Sequence, residues 1–349
     1  MTALGRLSIL LPLLATLAGC GSAGVMAPAK LTSKISALKA GTPGQPTRFL
    51  ASNTCYRVGP RIRVFLDQLD ADLVLRAPGT PLDPSDKESF AIAVRHAVAR
   101  QEPASLEALL NEHVFGDAKA PLKDLKVGVK GEQVTLAGKL DKGLWVPFEM
   151  TGAIGATADG RVSFKPKEIR SLGVRVDGLM ALVGLDLARM LKARQEKGVV
   201  IEGNEVLLDP GKMFPAPRLL GPVVAVKVNA GLLEYRFQDG ADRPLPALPV
   251  KAARNWVALW GGALRCQDVV TTDAKVQLVD AHPQDPFVYA LEFYRESLAA
   301  GFVTMGVDGR MAAYLPDANS WTADWPTFQP SLPLAGMKAL PSDMAPFPN

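Results

Sequence analysis

Three stretches of the chain place chemistry-bearing residue types close together. Ser36-Ala37-Leu38-Lys39 has the S-x-x-K spacing in which a lysine can take the proton of a serine nucleophile. No S-D-N or K-T-G element follows it, so the spacing reads as chance. Asp280-Ala281-His282-Pro283-Gln284-Asp285 gathers two carboxylates and an imidazole, a donor set for a cation. The same residues also read as a solvated turn in which Asp285 caps a helix starting at Pro286, and this is the preferred reading. Asp67, Asp70 and Asp72 lie along one strand-like run. Asp70 and Asp72 share its face, as an acid/base pair would, but a solvated strand face explains them more simply. His96 and His113 have no Asp or Ser partner in view. No G-x-S-x-G, H-E-x-x-H, C-x-x-C, P-loop or G-x-G-x-x-G occurs. The expectation is a protein that is not an enzyme and holds neither metal nor cofactor.

Composition narrows the class further. The 349 residues carry 39 Lys+Arg against 35 Asp+Glu, and 48% of them are apolar. This is an ordinary globular balance, and the small positive excess is too diffuse for a nucleic-acid binder. Three Cys and three His leave little for a multi-ligand zinc site.

The N-terminus reads as an address. Arg6 precedes an uncharged run, Leu7 to Leu17, too short to span a bilayer. The run ends in Leu17-Ala18-Gly19-Cys20, which resembles the lipobox of bacterial lipoproteins. The resemblance implies cleavage of residues 1–19 and attachment of diacylglycerol to the Cys20 thiol, with acyl chains such as palmitate. Gly21, where an Asp would favour the inner membrane, favours the outer membrane facing the periplasm. Residues 20–58, rich in Gly, Ala, Ser, Thr and Pro, read as a flexible tether. Residues 59–324 are the expected folded domain, and 325–349 a Pro-rich tail. With Cys20 acylated, Cys55 and Cys266 are left as an even pair in an oxidising compartment. A disulfide between them is expected, with two separate buried thiols as the alternative.

The body alternates apolar and polar residues with period two. Leu125 to Val129 turns at Lys130-Gly131 into Val134 to Leu140. Val146 to Ile154 turns at Asp159-Gly160 into Val162-Phe164. Val199-Ile201 turns at Gly203-Asn204 into Val206-Leu208. Val224 to Val228 precedes Leu233 to Phe237, and Val303 to Val307 turns at Asp308-Gly309 into Met311 to Leu315. Helices are predicted over Ser85 to Arg100, with a Ser85/Glu88 capping box and Phe90, Val94, Ala97 and Val98 as its stripe. Others follow Pro103, cover about Asp177 to Arg194, and cover about Pro286 to Ala300. Hairpins grouped apart from helices imply an α+β fold.

Leu109-Leu110-Asn111, Gly178-Leu179, Val200 to Val206, Leu208-Asp209-Pro210 and Pro215-Ala216-Pro217 resemble bacterial members of the tubular lipid-binding (TULIP-like) superfamily. The resemblance covers about 130 residues, Leu106 to Phe237. It implies a long curved antiparallel sheet of hairpins wrapped around amphipathic helices, with an apolar groove for phospholipid or another amphiphile. Phe148, Met150, Leu179, Leu182, Val183, Leu187 and Met190 are the expected lining. The function this suggests is envelope lipid transfer or maintenance. The alternative is a non-enzymatic outer-membrane scaffold with a solid core and an envelope protein partner. Trp256, Trp260, Trp321 and Trp325 read as membrane-interface anchors or as core cover.

Overall fold

The computed structural model describes residues 46–178, 195–266, 269–306 and 308–318, all within one compact unit, Ala40–Asn349. The expected signal peptide, Cys20, nearly all of the helix predicted over 177–194, Trp321 and the tail from Trp325 lie outside the described residues.

Two sheets carry the fold. The larger has eleven strands, mixed in direction. Its middle is β1 (Thr47–Arg57), β2 (Arg63–Leu75) and β3 (Phe90–Gln101), paired antiparallel. The smaller is an antiparallel set of seven, beginning β4 (Leu122–Lys130), β5 (Gln133–Asp141), β6 (Trp145–Ala156) and β7 (Val162–Ser171). Across the β7 edge come β8 (Val174–Arg175), β9 (Val199–Glu202) and β10 (Glu205–Leu208). The chain then returns to the large sheet. Here β11 (Arg218–Leu220) pairs with β3, while β12 (Val223–Asn229) and β13 (Leu232–Gln238) extend that side. On the other side lie β14 (Trp256–Trp260), β17 (Lys275–Asp280), β20 (Met311–Leu315) and the edge strand β19 (Phe302–Met305). A small ribbon, β15 (Leu264–Cys266) with β16 (Val269–Thr271), and β18 (Phe287–Tyr289) beside β1 complete the set.

The hairpins form where the alternating patterns place them. The expected α+β architecture does not. The described chain is mostly strand, and its large sheet curls into a half-barrel rather than wrapping around long helices. The α-helices among the described residues are α1 (Pro103–Leu109), α2 (Pro210–Met213) and α3 (Tyr294–Ala300). The helix that follows Pro103 is present, and Leu106, Leu109, Leu110 and Val114 are all buried as expected. The helix predicted from Pro286 is shorter: Phe287–Tyr289 is strand, so Asp285 caps no helix there.

The helix predicted over Ser85 to Arg100 is strand β3, for an identifiable reason. Its buried residues are Phe90, Ile92 and Val94, then Ala97, Ala99 and Gln101. A register shift opposite Asp70 and Ala71 leaves Arg95 as the extra residue of a bulge. The bulge moves the inward phase from even to odd positions. Phe90, Val94 and Ala97 then stand at i, i+4 and i+7, the signature of a helix face. Ser85 caps no helix: its backbone N–H donates to Asp83 in a turn. The tether also ends earlier than expected. Eleven residues near its end, Thr47–Arg57, are a central strand between β2 and β14.

On the convex face of β2, Asp70 and Asp72 are held by arginines. Arg48 binds Asp70 at 2.9 Å and Arg95 binds Asp72 at 3.1 Å. Arg243 reaches in from the loop after β13 and binds both carboxylates. Asp67 is bound by Arg100. These aspartates fasten a loop and a bulge, and no acid/base pair is available. Asp72→Ala should lower stability by about 2 kcal/mol. This is less than for a fully buried pair, because Arg95 and Arg243 keep contact with solvent. The midpoint of urea unfolding measures it.

Cys55 and Cys266 are free thiols, not the expected disulfide. Cys55 sits on one face of the large sheet against Val288, Ala290 and Phe293. Cys266 lies near Tyr289, which belongs to the core on the opposite face. The sheet stands between the two sulfurs. Burial pushes the Cys55 thiol up to about 11, so it is protonated and inert. Alkylation in denaturant without reductant should label both residues, and added reductant should leave the Tm unchanged.

Candidate functional site

Two cavities adjoin in the interior. The first, about 120 Å³, lies under the concave face of the large sheet. Leu66, Leu69, Val94, Ala97 and Ala99 form its roof, Leu106 and Leu109 of α1 one wall, and the run from Pro210 to Pro217 another. Asp209 positions that run, since its side chain accepts a hydrogen bond from the Gly211 N–H at 3.0 Å. The second cavity, about 70 Å³, is enclosed by the small sheet, with Leu125, Leu140 and Phe164 among its lining. Leu106 and Leu208 line both cavities and form the partition between them.

Among the described residues, the lining holds no carboxylate, amine, imidazole, thiol or aliphatic hydroxyl. Its polar groups are those of Tyr56, Gln101 and Tyr235, all in the first cavity. The Tyr235 hydroxyl donates to Gln101 Oε1 and the Gln101 amide donates to Ser105 Oγ, both at 3.3 Å. Burial drives the Tyr56 and Tyr235 phenols well above their ordinary range, so both stay neutral. An enclosure of this kind offers dispersion contacts and dryness but no nucleophile or base. A dry apolar cavity of about 150 Å³ is enough to bind a benzene-sized hydrocarbon.

Of the expected lining residues, Phe148 and Met150 face the second cavity from β6, both buried. Leu179, Leu182, Val183, Leu187 and Met190 lie outside the described residues. Sequence reasoning missed Ala97 and Ala99, which it assigned to a helix, and the aromatic wall of Tyr235 and Phe237. The Pro215-Ala216-Pro217 step was visible in the sequence, but nothing there placed it against the sheet. Trp256 is core, packed with Leu50, Leu248 and Ala258, with Trp260 against the same cluster.

The other chemistry-bearing residues have structural roles. Asp280 is fully buried and accepts from Asn255 Nδ2 at 2.9 Å and from the His282 N–H at 2.7 Å. His96 lies 3.4 Å from Asp242, and His113 is half-buried after α1, where burial lowers its pKa. Among the described residues no three His, Cys, Asp or Glu side chains come together as metal ligands. Among them, too, no helix is long and apolar enough to cross a membrane. No family model, curated protein or solved structure matches the chain.

Asp317 is the unusual carboxyl. Buried at the end of β20, it accepts from the Val288 N–H at 2.7 Å and faces Asp280 and Asp285. Burial, with a smaller repulsion from those two aspartates, raises its pKa from 3.8 to about 7. Between those values the folded state keeps a proton that the unfolded chain has released, so stability falls as pH rises through that window. Asp317→Asn keeps the acceptor and removes the charge. It should raise the Tm above wild type at pH 8 and leave it nearly unchanged at pH 4, as thermal unfolding at the two pH values would show.

Proposed function

We propose that the folded body binds a lipid, phospholipid or another amphiphile, and shelters part of its hydrocarbon in the two adjoining cavities. The observation that supports this reading is the lining: the described residues around the first cavity are all uncharged, and a second apolar cavity continues beyond Leu106 and Leu208. A packed interior reaches crystal-like density with few voids larger than a water molecule. Two adjoining apolar voids, one under the curled large sheet and one within the small sheet, therefore suggest a place kept for a guest. The small side chains Ala97 and Ala99 at the roof keep it open. In this reading the chain is a binder and not an enzyme. It would be anchored through acylated Cys20 in the bacterial envelope and serve lipid transfer or maintenance there.

The test is extraction and mass spectrometry of the full chain isolated from an envelope fraction. A stoichiometric amphiphile is the expected result. Ala99→Phe, which fills the first cavity from β3, should lose most of that amphiphile while the protein stays folded. An amphiphile bound equally by the variant, or none bound by the wild type, would sink the reading.

A further inference from the structure

We infer that one end of the small sheet is a docking tip for an anionic bilayer surface, separate from any N-terminal anchor. Two turns meet there. One joins β5 to β6 and carries Leu144, 79% exposed, and Trp145, 41% exposed. The other joins β7 to β8 and carries Leu172, 71% exposed, with Val174 at 68%. The turns are neighbours: Phe148 pairs with Ser171, and the Leu172 N–H donates to the Pro147 carbonyl.

The Leu172 position breaks two local rules at once. Ser171 pairs with Val174, so Leu172-Gly173 is a two-residue hairpin loop. Leu172 has φ +52° and Gly173 φ +78°. Such a turn favours Asn-Gly, because a branched aliphatic side chain is disfavoured in the left-handed region. Folding gains nothing from a leucine there. It strains the backbone and leaves its side chain in water. Residues that defeat local stability without a structural return mark function.

Charge identifies the occupant. The Lys123 ammonium lies 3.9 Å from the centroid of the Trp145 ring. Lys139 and Arg170 are balanced by Asp124 and Glu168. Among the described residues, Lys142 and Arg175 have no ion pair, and each lies within a few residues of an exposed aliphatic tip. Asp141 turns its carboxylate back to the Gly143 N–H. Leucine and valine are exposed, tryptophan sits at their flank, and two unpaired cations, Lys142 and Arg175, stand beside them. This is the profile of a wedge seated among acidic headgroups, with Trp at headgroup level. The tip adjoins the strands that line the second cavity: Leu140 and Phe148 line it, and they pair with Val146 and Ser171, each next to a tip residue.

The experiment uses the full chain in vesicles of phosphatidylcholine and phosphatidylglycerol with brominated acyl chains. The wild-type minus W145F difference isolates the Trp145 fluorescence. Trp145 should be strongly quenched, and less so when phosphatidylglycerol is omitted. Leu144→Asn and Leu172→Asn should each shift the docked-to-undocked ratio about tenfold toward undocked. Leu172→Asn should do so with a Tm equal to or above that of wild type, which separates docking from damage to the fold. Trp145 left unquenched in the anionic vesicles would overturn the inference, as would quenching that survives both substitutions. The Ala99→Phe variant should dock normally, so loss of cargo and loss of docking are read independently.

Discussion

Everything in this molecule depends on how the concave face of the large sheet is kept dry. Eleven strands curl into a half-barrel, and the face they turn inward is apolar from Phe49 to Leu315. No long helix among the described residues fills that space. The face is closed instead by α1, by the Pro210 to Pro217 run and by the small sheet, each contributing a few side chains. Close packing by such short pieces is incomplete, and the cavities are what remains. Removing apolar surface from water provides the driving force, and the small residues Ala71, Ala97 and Ala99 set how far the filling goes.

The convex face answers to a different constraint. Asp70 and Asp72 are too buried to stand alone, and three arginines meet them, one from β1, one from the β3 bulge and one from the loop after β13. The same bulge that supplies Arg95 resets the inward phase of β3. One extra residue thus fastens the outer loop and selects which alanines face the cavity. Polar satisfaction outside and apolar lining inside are coupled through one strand.

The proposed function and the proposed docking tip fit one physical scheme. An interior whose described lining is uncharged suits hydrocarbon. A strained, exposed leucine beside a tryptophan and unpaired cations suits the surface from which hydrocarbon would come. The tip lies next to the second cavity, since Phe148, which lines it, pairs with Ser171 beside the Leu172 turn.

Period-two alternation by itself determined the hairpins, because a strand buried on one face must alternate whatever it pairs with. Val134 to Leu140, Val162 to Phe164 and Val206 to Leu208 are where their patterns put them. The lipobox resemblance at Leu17 to Cys20 is equally local, though only an expectation about where the chain goes. The identity of β3 was not legible, since a bulge turns a two-residue period into the spacing of a helix face. The pairing of Cys55 with Cys266 looked natural from their number alone, but sidedness is a property of the sheet, and the sheet separates them. Phe148 and Met150 were readable as inward residues because they alternate along β6. Ala97, Ala99, Tyr235 and the Pro215 step became one cavity wall only when strands far apart in sequence were brought side by side. The strain at Leu172 was likewise decided by the hairpin it closes, since a backbone angle is fixed by the pairing of its neighbours and not by the residue's own preference.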